Sequence, residues 1–284
     1  MALSPATNPR GGFPLGLAGA TAATRYVGAV ASGAPLTGTF AVGDFVIGQD
    51  GTLRICTVAG SPGTWVEVSG TATPAAYVAA VLADSPLGFY QLDETTGLAQ
   101  DSSGNAAHMT ATAGTTKGYR VEGPMPGAFG IYMIGGASFS RAVLTTAVNN
   151  WTLEVWAKIV ATGGDDTVLL NGVRASSGYS LDIIDATKHL RALYGGVAFQ
   201  RTSTGAIVVN DWTHLAIVDR ASALEYYVDG VLDSTGAETA APNAPATKSQ
   251  IGSDAAVSCA LSMAAFYNTP LTAARIAAHF AAAV

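Results

Sequence analysis

The sequence predicts an all-β protein, and three observations carry that prediction. After residue 86, about a dozen short apolar runs follow one another, separated by turn residues and without helical stretches between them. The chain is 49% apolar but only 12% charged, with 33 glycines, a balance that suits packed sheets and tight turns better than long charged helices. Asp-Gly pairs at 50–51 and 229–230 each separate two β-prone runs, as two-residue hairpin turns do. Strands at that spacing read as a sandwich or barrel.

Taken in order, residues 1–24 hold Gly, Pro, Ala and Thr with no period, which predicts an extended arm docked on another surface. Pro14 and the glycines 12, 16 and 19 interrupt the apolar stretch after Arg10, so the segment is not read as a signal peptide and the protein is expected to be made in the cytoplasm. Residues 25–70 contain RYVGAV, FVIGQ, TLRICTV and TWVEV, about four short strands, too few to bury a core alone. Such a module is expected to be completed by a neighbour, and self-association is the simplest way. Residues 71–76 read as a linker, and 77–284 as the main domain. AAYVAAVLADSP opens that domain as a short helix stopped at Asp84-Ser85-Pro86. TPLTAARIAAHFAAAV closes it as a second helix, with Thr272 as N-cap and Ile276 stacked under Phe280.

Composition also excludes several classes. A net charge of −6 with scattered Lys and Arg offers no basic stripe for nucleic acid. The two cysteines, Cys56 and Cys259, lie far apart, so neither a disulfide framework nor a cysteine zinc site is expected, and both read as small buried residues. No apolar run approaches the length of a membrane span.

FYQLDETTGLAQDSSGN (89–105), WTLEVWAKI (151–159), DWTHLAIVDRASALEYYVDGVLDST (211–235), QIGSD (250–254) and FYNTPLTAARIAAHF (266–280) together resemble laminin-G-like, concanavalin-like jelly-roll domains. The resemblance covers about 75–284 in the right order and implies a β-sandwich with a short C-terminal helix. RYVGAV…GTFAVGDFVIGQDGTLRICTVAGSPGTWVEV (25–68) resembles a small β-module found in tail and capsid-surface proteins of phages infecting actinobacteria.

Glycosidases of this architecture carry Glu-x-Asp-x-x-Glu on one strand, which puts the carboxylates in one cleft. Here Glu154 stands alone, and Asp182 and Asp185 are three apart, which a strand points to opposite faces. The expectation is therefore that the protein is not an enzyme. The four histidines, His108, His189, His214 and His279, accompany no Gly-x-Ser-x-Gly elbow. His214 reads as half-buried and structural, and His279 as a helix C-terminal cation. Trp212 is expected to plug the sandwich core at a sheet edge.

Relatives of the resembled family bind calcium near the Asp-x-Ser-Gly-Asn turn. That implies Asp101 and Asn105 as hard-oxygen ligands, against the alternative that they only close an Asx turn. The family's acidic pair before its last strand is replaced here by Leu261-Ser262-Met263-Ala264. Sugar stacking is conceivable at Tyr179, Tyr194, Tyr226, Tyr227 or Tyr267. Because Tyr226 and Tyr227 alternate, one of them is expected to face solvent, and Tyr227 and Tyr194 are the carbohydrate candidates.

The combined expectation is a non-enzymatic bacteriophage virion surface protein. It would be a capsid decoration protein attached through residues 1–70 to the major capsid protein or another virion protein, assembled as a homotrimer, with the jelly roll projecting outward. The alternative is a tail-associated adhesin binding host-surface glycan, and a glycan-cleaving enzyme ranks last for want of paired carboxylates.

Overall fold

The computed structural model describes residues 26–31, 33–49, 53–67, 74–112, 117–159, 165–252 and 258–284. The expected arm at 1–24, the Asp50-Gly51 turn and residues 71–73 of the expected linker lie outside them. The chain divides into two compact units, Met1–Gly70 and Thr71–Val284.

The first unit is one sheet in the order β1 (Tyr26–Val30), β2 (Phe45–Gly48), β3 (Leu53–Val58), β4 (Thr64–Glu67). The pairing of β1 with β2 is parallel and the others are antiparallel. Period-two alternation sends Val46 and Cys56 to a covered face, where both are buried. Phe40 closes edge-to-face on Trp65 nearby, with ring centroids 4.9 Å apart. The opposite face carries Ile47 and Val66, both exposed. One side of this sheet therefore remains apolar and uncovered among the described residues.

The second unit is a two-layer sandwich. It opens with α1 (Pro74–Leu82) and β5 (Gly88–Tyr90), continues through β6 (Thr110–Ala111), β7 (Lys117–Glu122), β8 (Phe129–Ile134), β9 (Ser138–Arg141) and β10 (Thr152–Ile159). Next come β11 (Asp166–Val173), β12 (Ser177–Ile183), β13 (His189–Tyr194), β14 (Phe199–Ala206) and β15 (Thr213–Asp219). The order ends with β16 (Ala223–Val228), β17 (Val231–Ala237), β18 (Ser249–Gly252), β19 (Ser258–Tyr267) and α2 (Ala273–Ala281). An eight-stranded sheet runs β17-β16-β15-β10-β19-β8-β7, with β5 also on β19. A seven-stranded sheet runs β14-β13-β12-β11-β18-β9-β6.

The inner faces of the two sheets share one core. Trp151, Leu153 and Val155 from one layer meet Tyr179, Leu181, Ala192 and Tyr194 from the other. Trp151 stacks on Tyr179 at 4.0 Å, a contact that adds to the area both rings bury. A second apolar cluster lies on the outer face of the eight-stranded sheet. There Tyr77 and Val81 of α1 and Ile276 of α2 cover Trp156, Ala216, Val218, Tyr227 and Tyr267.

Local chemistry explains how α2 arrives there. Thr272 caps the helix, its hydroxyl accepting from the Arg275 amide. Asp229 and Gly230 take φ angles of 49° and 75° in the turn between β16 and β17, the conformation a two-residue hairpin requires. A side chain at position 230 would collide with Phe280 of α2, so this glycine serves both the turn and the helix docking. Trp212 packs against the helix-covered cluster and donates Nε1–H to the Glu122 carbonyl at 3.1 Å. It therefore does not plug the inter-sheet core as the sequence suggested.

Candidate functional site

Two polar assemblies stand out in the second unit, one on each outer face. The first is sealed under the helices. Glu154 of β10 is fully buried, because alternation points it away from the inter-sheet core while Leu153 and Val155 point in. Its Oε1 lies 2.8 Å from His214 Nε2 and 2.9 Å from His279 Nδ1, and Oε2 accepts from the Tyr267 hydroxyl at 3.0 Å. The Tyr77 hydroxyl reaches Oε1 at 3.4 Å.

His279 bridges onward, with Nε2 2.9 Å from Asp84 and 3.1 Å from the Ala80 carbonyl. Both its ring nitrogens face acceptors, an arrangement satisfied by the imidazolium, which donates twice. Burial alone would lower the His279 pKa, but Glu154 and Asp84 outweigh it and raise it. Burial would likewise raise the Glu154 carboxyl, yet the two histidines hold it well below the usual carboxylate range. The sequence reading of His214 as half-buried is thus corrected: it is fully enclosed, since α1 and α2 cover the face that strand alternation alone would leave wet. Glu154 touches no solvent and its oxygens are engaged. The arrangement clamps α1 and α2 onto the sheet.

The second assembly lies on the outer face of the seven-stranded sheet. Tyr179, Leu181, Ile183, Leu190 and Ala192 all enter the inter-sheet core, so Ser180, Asp182 and Arg191 between them face the other way. Register extends that outer face to Thr167 opposite Asp182, Leu170 opposite Ser180, and Gln250 opposite Leu170. Arg191 donates to Asp182 at 2.7 Å and to Asp165 at 2.8 Å, and Arg174 reaches Asp182 at 3.3 Å.

Five buried polar atoms on this face nevertheless have no partner: Thr167 Oγ1, Ser180 Oγ, Asp182 Oδ1, Arg191 Nε and Gln250 Oε1. Buried polar atoms are almost always hydrogen-bonded, so a cluster of orphans needs an explanation. All five atoms are enclosed. Of their residues only Arg191 also lines a cleft of about 560 Å³ at the β13–β14 edge, together with Phe199, Gln200, Arg201, Thr202 and Thr239, among others. That volume lies within the range of small-ligand sites.

The residues named from the sequence fall elsewhere. Tyr194 and Tyr227 are each only 1% exposed. Tyr194 enters the inter-sheet core and donates its hydroxyl to Asp219 at 2.5 Å, and Tyr227 lies under the helices with its hydroxyl on Glu225 at 2.7 Å. A sugar platform needs an exposed ring face, so the carbohydrate assignment of both tyrosines is corrected. Tyr226 and Tyr227 do point to opposite faces, yet both faces are covered.

Asp101 accepts from the amides of Phe89, Ser103 and Ala107 and from the Ser103 hydroxyl. Burial would raise its carboxyl, but these donors hold it below its usual value. Asn105 donates its side-chain amide to the carbonyls of Pro86 and Leu87. The pair closes a turn, and both Asp101 oxygens are occupied by protein donors. Among the described residues, no group of three or more His, Cys, Asp or Glu side chains is arranged to hold a metal. No helix among them is long and apolar enough to cross a membrane.

Comparison with known proteins fixes the lineage of the second unit. The family model described as the concanavalin A-like lectin/glucanases superfamily matches residues 135–277, just over half of the chain. The chain belongs to this superfamily. Among solved structures, domain 4 of AbnA, a GH43 extracellular arabinanase from Geobacillus stearothermophilus in complex with arabinotriose, is similar to 69% of this chain over 98% of its own length, with TM-score 0.58 and 17% identity. The ligand-binding domain of botulinum neurotoxin serotype D, in complex with N-acetylneuraminic acid, covers 72% of the chain and 52% of its own, with TM-score 0.55 and 14% identity. Trypanosoma rangeli sialidase covers 84% of the chain at TM-score 0.52 and 14% identity. This chain spans only 43% of that sialidase. At such identities the likeness is one of fold. No curated protein matches the chain.

The orphaned face escaped the sequence reading because its members, Thr167, Ser180, Asp182, Arg191 and Gln250, are scattered over four strands. The one available signal was Ser180 and Asp182 alternating with Tyr179, Leu181 and Ile183.

Proposed function

We propose that this protein is a non-enzymatic, glycan-binding surface protein of a bacteriophage virion, and that the second unit takes its sugar in the cleft at the β13–β14 edge of the seven-stranded sheet. The observation that carries the sugar-binding part is the 560 Å³ cleft, whose lining sets the polar side chains of Gln200, Thr202 and Thr239 beside Arg191 and Phe199. The non-catalytic part is supported by the state of the carboxylates. Asp165 and Asp182 are both committed to arginines, and Glu154 is enclosed beneath the helices. Solved neighbours with an arabinotriose or an N-acetylneuraminic acid bound add support at the level of fold.

The virion placement rests on the sequence frame of residues 25–68. The uncovered apolar side of the first unit, with Ile47 and Val66 exposed, suits attachment to a capsid or tail protein and assembly as a homotrimer. In this reading residues 1–70 anchor the protein and the lectin-like unit is displayed.

The test is titration of the full-length protein with purified bacterial surface polysaccharides, alongside a Thr202→Trp variant that fills the cleft from an exposed position. Binding by the wild type that is lost in the variant, at unchanged melting temperature, is the expected result. Absence of binding across the panel, or equal binding by the variant, would reject the reading. A gold label after Val284, viewed on phage particles, separates head decoration from a tail position, and particles without label would remove the virion assignment.

A further inference from the structure

We infer that Glu238 and Asp219 share one proton behind the cleft, and that its loss as pH rises loosens the strand end carrying Thr239, so that binding in the cleft is gated by pH. This rests on the glycan-binding reading for the ligand and adds the regulation of that site.

The donors around Asp219 leave room for that proton. This residue ends β15 and is fully buried. Its Oδ1 accepts from the amides of Asn150 and Ala221 at 3.0 and 2.7 Å, and its Oδ2 accepts from the Tyr194 hydroxyl at 2.5 Å. A carboxylate has about four lone-pair sites, so one remains on Oδ2. Glu238 stands beside Asp219 and Tyr194, and its Oε2 is enclosed and accepts no hydrogen bond. An ionised Glu238 sets a second acceptor-only group against Asp219 with no donor between them. A protonated Glu238 donates into the remaining site and satisfies both carboxyls. Among the neighbouring elements, Tyr226 of β16 lies near Tyr194. Arg201 of β14 packs against Gly236 and makes no ion pair among the described residues. Burial, together with the Asp219 charge, pushes the Glu238 carboxyl up to about 7, in keeping with a held proton.

The chain connects this pair to the cleft. Glu238 directly follows β17, and its amide donates to the Ser222 carbonyl at 2.9 Å. Thr239, the next residue, lines the cleft, and Ala240 packs on the inter-sheet core. Phe199, also in the lining, has its ring 4.8 Å from that of Tyr194. When the proton leaves to solvent, two carboxylates face each other. Glu238 is the half-buried member of the pair, so it is the one that swings to water, and Thr239 moves with it. Because the folded carboxyl titrates above the ordinary glutamate value, its contribution to the closed strand end is complete below that value and is lost as pH rises through about 7.

The experiment follows amide hydrogen exchange of residues 237–240 in the full-length protein from about pH 6 to about pH 8, corrected for intrinsic rates, in the wild type and in Glu238→Gln. Protection of the Glu238 amide should fall about tenfold over that range in the wild type, the change that linkage gives for a folded value of about 7. It should stay level in Glu238→Gln, whose side-chain amide donates to Asp219 at every pH. Equal profiles in the two proteins would overturn the shared proton. Titration with the bacterial surface polysaccharides should show affinity falling over the same range in the wild type and not in the variant. Affinity that ignores pH while protection falls would overturn the gating. Silence of the whole polysaccharide panel would overturn the glycan reading and the gating with it, whereas the shared proton is decided by the exchange profiles alone.

Discussion

The two outer faces of the sandwich satisfy their buried polar groups to different degrees. Under α1 and α2, the Glu154 carboxylate is surrounded by donors from four other elements, and His279 carries the charge on to Asp84. On the seven-stranded sheet, polar atoms are buried to a similar degree and five lack partners. Desolvating a polar group costs free energy unless a partner replaces water. The first face recovers most of that cost within the protein, leaving His214 Nδ1 and Trp156 Nε1 without partners, whereas the second leaves five atoms unpaired.

The largest test of this contrast is Glu154→Leu. It leaves His279 Nδ1 and the Tyr267 hydroxyl without an acceptor, and it should destabilise the second unit by about 3–5 kcal/mol, measured by urea unfolding. A loss below about 1 kcal/mol would mean that the cluster is not the clamp described here.

A smaller effect follows from pH. The folded pKa of His279 is raised, through Glu154 and Asp84 acting against burial. Its stabilising contribution is therefore complete below the ordinary histidine value and is lost as pH rises through the raised folded value. Tyr77, Tyr267 and His214 also face Glu154, and Arg275 stands beside Asp84 and opposes the shift. Melting temperature should fall from neutral toward alkaline pH, and Asp84→Asn should move the onset of that fall to lower pH. A flat profile in the wild type would contradict the imidazolium assignment.

The smallest effect has the opposite sign. Ser180→Ala removes an orphaned hydroxyl enclosed on the outer side of the seven-stranded sheet and should leave stability unchanged or raise it by up to about 1 kcal/mol, measured by urea unfolding. If the substitution instead destabilises the fold, Ser180 has a structural partner and the contrast between the faces weakens.

The sequence made part of this legible. The Asp229-Gly230 hairpin, the Thr272 cap and the alternating strands are local features, and local chemistry specifies them. The tyrosines were misplaced for a physical reason: period two separates Tyr226 from Tyr227, but it is silent on whether a helix from elsewhere covers the outer side. The Glu154 cluster was hidden for a related reason, since its partners His214 and His279 are 60 and 125 residues away. The cleft is harder still, because it is lined by residues of β13, β14 and Thr239, which only the assembled strands bring together.

The clamp also imposes an order of events on synthesis. Its central carboxylate lies on β10, yet the cation that compensates it is on the last helix, and that helix also grips the first one through Arg275 and Asp84. A nascent chain that has exposed everything up to Thr272 offers Glu154 only His214, Tyr267 and Tyr77, and its His279 partner is still missing. Strand pairing can begin while translation proceeds, but the outer layer cannot lock until Ala273–Ala281 has emerged. Folding of this unit is in that sense completed from its end, and a chain cut short before α2 would reach the cell's proteases with its inner layers paired and its outer layer open.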